Sequence, residues 1–263
     1  MLGGARKLRL VETVIVIPTY NEAGNIERLL PMIHERVPTA KIMVLDDDSP
    51  DGTADLVEKA AADMVDASVE IVRRSDKSGL GAAYRDGYAR ALAAGAECVV
   101  QMDSDLSHDP AYLPALVAAV QHGADAAIGS RYVPGGEVED WPRSRQWLSR
   151  WGNRYAAGML GLAINDTTSG YRAYGAPILR RMNVDTVAAD GYGFQVEMTH
   201  RLVRCGGRVV EIPIVFRDRT AGDSKLSKHI VSEAFGLVNK LALLDLINGA
   251  QRRKQRRRNK REQ

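Results

Sequence analysis

Cys98-Val99-Val100-Gln101-Met102-Asp103-Ser104-Asp105-Leu106-Ser107-His108-Asp109-Pro110 is the stretch on which the fold turns. An apolar run leads into two carboxylates, and a proline closes the segment. This pattern predicts a buried strand, Glu97 to Met102, that ends by presenting Asp103 and Asp105 at one edge of a sheet. On an extended chain, residues two apart project to the same side, which would let the two carboxylates converge with Ser104 facing away. Two hard oxygen ligands on one spot suit Mg²⁺ or Mn²⁺, which takes one or two protein carboxylates and leaves its other positions to phosphates and water. The competing reading is an acidic turn that caps the next helix.

Working outward, β-rich runs alternate with helical spacing. Strands are expected at Thr13 to Ile17, Lys41 to Leu45, Val69 to Val72 and Ala124 to Gly129. Helices are expected at Ile26 to Arg36 with Asn25 as N-cap, Thr53 to Ala62, Gly81 to Ala93 and Ala111 to His122. Such alternation predicts a mostly parallel α/β sheet covered on both faces, with ligands outside the carboxyl ends of the strands. Past residue 130 the pattern changes. Gly135-Gly136 reads as a mobile loop, Trp147 to Leu160 as helix, and Thr167 to Tyr174 as polar and β-like. Gly191 to Leu202 reads as helix, Val209 to Phe216 as strand, and residues 226–248 as a last helix rich in Leu, Ile and Val.

The strand ends Ile17-Pro18-Thr19-Tyr20-Asn21-Glu22, Leu45-Asp46-Asp47-Asp48-Ser49-Pro50-Asp51-Gly52-Thr53 and Met102-Asp103-Ser104-Asp105 would share one rim. Carboxylates crowded there repel one another, and a divalent cation with a polyphosphate ligand would relieve them. Asp46, Asp48 and Asp51 have the alternative reading of turn formers and helix caps. No G-x-G-x-x-G turn follows the first strand and no G-x-x-x-x-G-K-[ST] loop occurs. A diphosphate would therefore be handled by metal.

Composition bounds the rest. A hydrophobic share of 45% and a charged share of 26% are ordinary for a soluble globular chain. No apolar run approaches the ~20 residues of a membrane span, and the first nine residues lack the apolar core of a signal peptide. Cys98 and Cys205 form neither a disulfide framework nor a metal spacing, so a reducing, cytoplasmic setting is expected. Residues 251–263 carry eight basic side chains against one acidic. That net of +7 within a chain total of +3 leaves the body at −4. The tail is expected to be disordered and to seek an anionic surface. It has no interleaved aromatics and the body is acidic, which disfavours nucleic acid as partner.

Pro18-Thr-Tyr-Asn-Glu22, Asp46-Asp-Asp-Ser-Pro-Asp-Gly-Thr53 and Met102-Asp-Ser-Asp-Leu-Ser-His-Asp-Pro110 resemble the inverting family 2 glycosyltransferases of the A-type, Rossmann-like fold. Thr168-Ser-Gly-Tyr-Arg172 and Asp218-Arg-Thr-Ala-Gly-Asp-Ser-Lys225 narrow the resemblance to the polyprenol (dolichol) phosphate mannose synthases, over about residues 10 to 240. The resemblance implies transfer of mannose from GDP-mannose to a polyprenyl or dolichyl phosphate; the alternative is a polyprenyl-phosphate glucosyltransferase using UDP-glucose. It implies that Pro18, Tyr20 and Glu22 line the nucleotide pocket, with Leu45 and Asp47 beside the base. Asp103, Ser104 and Asp105 would hold metal and nucleotide. Arg131, Arg219 and Lys225 would face the acceptor phosphate or the leaving diphosphate, and Arg172, Gln195 and Glu197 would support them. Two departures stand out: Asp48, where relatives commonly carry Gly, and Ser107, where some place Gln. His108 reads as a turn histidine.

The expected divisions are an N-terminal extension (1–10), a catalytic domain (11–225), an amphipathic helix (226–249) and the basic tail (250–263). In the helix, Ile230, Ala234, Leu237, Leu241 and Leu244 share a stripe, with Val231, Phe235, Val238 and Ala242 beside it. That stripe suits either a bilayer headgroup region or ordinary core. Trp141, Trp147 and Trp151 are further candidates for the membrane interface. The expectation is a protein peripheral on the cytoplasmic face of a membrane, with a separate anchoring protein as a possible partner.

Overall fold

The structure is a computed structural model and describes residues 12–75, 79–218 and 234–247. Its strands are β1 (Thr13–Thr19), β2 (Lys41–Asp46), β3 (Ser68–Arg73), β4 (Cys98–Gln101), β5 (Ala126–Ser130), β6 (Glu137–Val138), β7 (Arg172–Gly175), β8 (Val209–Pro213) and β9 (Val215–Phe216). The helices are α1 (Ala23–Arg36), α2 (Thr53–Asp63), α3 (Leu80–Ala93), α4 (Leu113–Gln121), α5 (Arg143–Leu160), α6 (Ala176–Met182), α7 (Gly191–Arg204) and α8, helical through residues 234–247. Among the described residues no helix is long and apolar enough to cross a membrane.

Seven strands form one sheet in the order β3-β2-β1-β4-β7-β5-β8. All neighbours are parallel except β7, which runs antiparallel between β4 and β5. The parallel strands read as continuous apolar runs because both faces are covered. One face carries α1, α2 and α4 through Ile26, Leu29, Val57 and Leu116. The other carries α3, α6 and α7 through Tyr84, Tyr88, Ile178, Phe194 and Met198. Full burial of each such side chain stabilises by about 1.5–3 kcal/mol. Helix α3 lies close on the sheet at Gly87, where a Cβ would stand 2.4 Å from Val16.

Several elements depart from expectation. Helix α1 begins at Ala23 with Glu22 as its N-cap, so Asn25 lies inside the first turn and donates to Glu22 Oε2 (2.9 Å). The β-like stretch 167–174 is strand only from Arg172, because residues 167–171 form a loop held by side chains. Val209 to Phe216 divides at Ile214: β8 joins the main sheet, and β9 pairs in parallel with β6 in a separate two-stranded sheet. The Gly135-Gly136 segment leads into that pairing. Helix α8 packs on α5 and α7 through Val238 and Leu241 against Ala156, Leu160 and Val196, while Leu244 and Leu246 stay exposed. The apolar stripe therefore serves as core in part. The expected extension 1–10, the first part of the expected last helix (226–233, with Ile230 and Val231) and the tail 250–263 lie outside the described residues.

Candidate active site

Strands β2, β1 and β4 are adjacent, so their carboxyl ends share one rim, as the acidic motifs require. At β2, Asp46 is a turn former. It accepts from Thr19 Oγ1 (2.8 Å), from Ser49 N–H (2.9 Å) and from Ser49 Oγ (2.6 Å). Asp51 ties the start of α2 to that of α1, accepting from Thr53 N–H and Ala23 N–H. Burial alone would raise its carboxyl. The Thr53 hydroxyl and the surrounding main-chain donors outweigh that and hold it below the ordinary value. Asp48 has φ +55°, a left-handed conformation that glycine adopts without steric cost.

Asp47 behaves differently. It is buried, and it forms a 2.5 Å salt bridge with Arg74, which is itself largely buried beyond the end of β3. Sequence reading missed Arg74, which is brought to Asp47 only by sheet order. Leu45, expected beside the base, stands at the end of β2 with its side chain wholly inside the core. Pro18 and Tyr20 are half-buried at the end of β1, and the Pro18 carbonyl accepts from Ser104 Oγ (3.2 Å). Glu22 N–H donates to Thr53 Oγ1 (2.9 Å).

Strand β4 ends at Gln101, and residues 104–106 bend, with Leu106 at φ +62°. The alternation inferred for Asp103 to Asp105 therefore does not carry through. Ser104 turns toward β1 and does not face away from the rim. Asp103 is half-buried and accepts from the Tyr84 hydroxyl (3.1 Å). Burial and then the Asp103 charge push the Tyr84 phenol well above its ordinary value, which keeps it a donor. Asp105 is buried and accepts from Ser107 N–H (3.1 Å) and Ser107 Oγ (2.5 Å). His108 is buried and stacked on Tyr171 (4.8 Å between centroids), and its Nδ1 receives the Asp103 N–H (3.0 Å). Burial lowers its pKa more than Asp103 and Asp105 raise it, so it is a neutral structural group. Among the described residues no cluster of three or more metal-ligating side chains occurs. Two neighbouring carboxylates nevertheless match the donor set of a hard divalent cation that completes its shell with phosphate and water.

Arg131 follows β5. It meets Asp166 through main-chain N–H (3.0 Å), Nε (2.7 Å) and Nη2 (2.7 Å), and Thr168 Oγ1 accepts from Nη2 as well (2.9 Å). Asp166 is fully buried. Burial would raise its carboxyl, but the Arg131 charge overrides that and holds it below the ordinary value. Gly136 folds back against this point, where a Cβ would stand 2.5 Å from the Ser130 carbonyl oxygen and 2.9 Å from the Arg131 carbonyl carbon. Arg131 also lines a cavity of about 110 Å³ between α5 and α8, walled by Leu148, Trp151, Tyr155, Phe235 and Val238. Arg145 and Trp141 line it too, the guanidinium lying 3.8 Å from the indole centroid. Arg145 Nη1 pairs with Asp218 (3.1 Å), while Arg145 Nε–H and Trp141 Nε1–H are buried donors with no acceptor among the described residues. Trp141 is thus a buried wall residue and not a surface aromatic; Trp147 and Trp151 are the exposed ones. Arg145 and Asp166 escaped sequence reading because nothing local marks them.

Arg172 is entirely buried and donates to the carbonyls of Ser169 and Thr167 and to Thr199 Oγ1. It organises the 167–171 loop. Gln195 accepts from Gln101, and Glu197 from Ala189 N–H and Arg201. Arg219 and Lys225 lie outside the described residues.

The chain matches the family model for Glycosyl transferase family 2 over residues 14–182. It belongs to that family. This family 2 glycosyltransferase is 46% identical over 224 residues to an undecaprenyl-phosphate mannosyltransferase of Micrococcus luteus, covering 85% of this chain and 91% of that one. It is 44% identical over 222 residues to a polyprenol monophosphomannose synthase of Mycolicibacterium smegmatis, covering 84% and 83%. Its fold is shared with glucosyl-3-phosphoglycerate synthase of Mycobacterium tuberculosis in complex with Mn²⁺, UDP and phosphoglyceric acid. The TM-score is 0.63 at 18% identity, with 90% of this chain and 78% of that one covered.

Proposed function

We propose that this chain transfers mannose from GDP-mannose to the phosphate of a polyprenyl (dolichyl) phosphate, with inversion, giving polyprenyl-phosphate β-mannose. Relatives named undecaprenyl-phosphate mannosyltransferase and polyprenol monophosphomannose synthase, at 46% and 44% identity, support mannosyl transfer to a polyprenyl phosphate. One observation carries the acceptor assignment: Arg145 and Trp141, whose buried Nε–H and Nε1–H have no acceptor among the described residues, line an aromatic and aliphatic groove beside Arg131. Buried donors call for an acceptor. A phosphate supplies one, and the groove suits an isoprenoid chain.

The acceptor phosphate oxygen attacks the anomeric carbon as the bond to the nucleotide diphosphate breaks on the opposite face. With a second pKa of about 6, a phosphate monoester is already ionised near neutral pH, so no general base is required. His108, buried and with its Nδ1 taken up by the Asp103 N–H, is not called on as one. Repulsion between anionic acceptor and anionic donor is the main obstacle. Arg131, with Arg145, Arg219 and Lys225, would hold the acceptor against it. Asp103 and Asp105 would hold a Mg²⁺ or Mn²⁺, which when bound stabilises charge on the departing diphosphate. Pro18, Tyr20, Glu22, Asp47 and Ser104 would receive the nucleotide. The exposed faces of α5 and α8 would rest on the cytoplasmic surface of a membrane, with or without a separate anchoring protein.

Labelled GDP-mannose, Mg²⁺ and a polyprenyl phosphate should give label extractable into organic solvent. The label should be lost with a chelator. Asp105→Ala should lower turnover by at least about a hundredfold while the protein still unfolds cooperatively. Transfer from UDP-glucose and not from GDP-mannose would replace this reading with the glucosyltransferase.

A further inference from the structure

The loop that holds Arg131 is tied down from two sides. Behind it, Glu211 on β8 accepts from Asp166 N–H through Oε1 (3.0 Å) and from both nitrogens of Asn165 through Oε2 (2.9 Å each). In front, Asn153 of α5 accepts from Thr167 N–H (2.7 Å) and Oγ1 (2.9 Å) and donates to Thr168 Oγ1 (3.1 Å). Asp166, between these anchors, grips the Nε/Nη2 edge of Arg131 with both oxygens and its main-chain N–H with one of them. The aromatic rings of Tyr132, Trp141 and Phe216 stand 5.1, 5.8 and 5.4 Å from the guanidinium carbon. A fork gripped along its Nε/Nη2 edge by a carboxylate and walled by rings is oriented by the loop that carries that carboxylate.

We propose that Asp166 is a positioning residue that aims the Arg131 guanidinium into the acceptor groove, and that Glu211 sets its aim by fixing the 165–166 main chain. This rests on the reading that Arg131 meets the acceptor phosphate. Stability alone is a poor reason for the arrangement, because a buried ion pair rarely outperforms packed apolar side chains. Orientation is a sufficient reason, since small misplacement of a binding group costs orders of magnitude in rate.

Glu211 lies on the edge strand, away from the groove, and is the informative site to change. In Glu211→Gln the new amide NH₂ would oppose one of the N–H donors that the carboxylate now receives. Acceptor KM, donor KM and kcat would be measured for the wild type, Glu211→Gln, Arg131→Lys and the double variant, with melting curves for each. The expected result is an acceptor KM raised about tenfold in Glu211→Gln with donor KM nearly unchanged. In the Arg131→Lys background the same change should add nothing, because the fork it aims is gone. An unchanged acceptor KM in Glu211→Gln, or additive effects in the double variant, would overturn the proposal. Arg131→Lys with wild-type constants would instead remove the assignment of Arg131 on which it stands. Asp166→Asn is the more direct change but exposes Arg131 to unpaired burial, so the Glu211 series decides the matter if that variant does not fold.

Discussion

Asp245 of α8 accepts from His200 of α7, Oδ2 to Nε2 at 2.9 Å, and the same oxygen accepts from Arg204 Nε (3.0 Å) and Nη2 (2.7 Å). This polar clasp, with Tyr155 OH to Asn239 (3.0 Å), complements the apolar packing that seats α8 over the groove. Burial would raise the Asp245 carboxyl, but the bonds from Arg204 and His200 outweigh it and hold it below the ordinary 3.8. A depressed carboxyl stabilises the fold above its unfolded pKa, and the contribution is lost as pH falls through the lower folded value. Asp245→Asn should therefore lower the melting temperature at neutral pH by about 2–4 °C, the shift expected for about 1 kcal/mol in a chain of this size. Solvent screening keeps it no larger. The difference from wild type should close below about pH 4. Melting curves across pH check this; a constant gap down to pH 3 would contradict it.

Gly136→Ala should damage the acceptor side selectively. Its Cβ would press on the Ser130 carbonyl and on the Arg131 main chain, and both are backbone atoms that cannot swing aside. Relief requires Arg131 to shift relative to Asp166. The expected outcome is an activity loss of about tenfold or more, with nucleotide affinity unchanged. Titration with GDP, with turnover measured in parallel, separates the two.

The parallel part of the fold was legible because its strands are buried on both faces and its helices keep a regular apolar period. β7 was legible only as the end of a β-like stretch, and its place in the sheet was not, since it is four residues long and enters antiparallel between strands that are distant in sequence. α6 follows it directly and is seven residues long, too short to show a period. In the site, Asp47, Asp103 and Asp105 stand in contiguous motifs at strand ends, where a strand-helix pattern alone predicts chemistry. Arg131 was read as a phosphate ligand, yet its nearest partner, Asp166, is 35 residues away. Arg74, Tyr84 and Arg145 likewise acquire their roles only when the sheet order and α5 bring them to the rim or the groove.

Arg74 shows what that tertiary placement adds. Its guanidinium neutralises Asp47 and approaches Asp86 of α3 at 3.8 Å. A carboxylate at the nucleotide rim with no counter-charge would repel a diphosphate. Arg74→Ala should weaken GDP binding by roughly tenfold, the loss expected of one charge-assisted contact. The effect should exceed that of Arg73→Ala, because Arg73 is exposed and, among the described residues, pairs with Asp55 and Glu58 of α2. Calorimetric titration of both variants with GDP checks the order; equal affinities would place the nucleotide elsewhere on the rim.

The outer faces of α5 and α8 carry Trp147, 67% exposed, and Leu246, 72% exposed, with Met159, Leu243 and Ile247 also uncovered. Trp147 stacks on Trp151, and Trp151 on Phe235, so the aromatic patch spans both helices. Trp147 and Leu246 do not line the groove, which makes them clean probes of membrane contact. At about 25 cal/mol per Å² of apolar surface removed from water, losing both should weaken attachment to anionic phospholipid vesicles by at least about tenfold. Trp147→Ser/Leu246→Ser should sediment poorly with such vesicles yet turn over a short, water-soluble isoprenyl phosphate at the wild-type rate. Only the search for a bilayer-bound acceptor depends on that face. Loss on the soluble acceptor as well would mean that these side chains support the fold, and retained sedimentation would assign membrane contact to another surface.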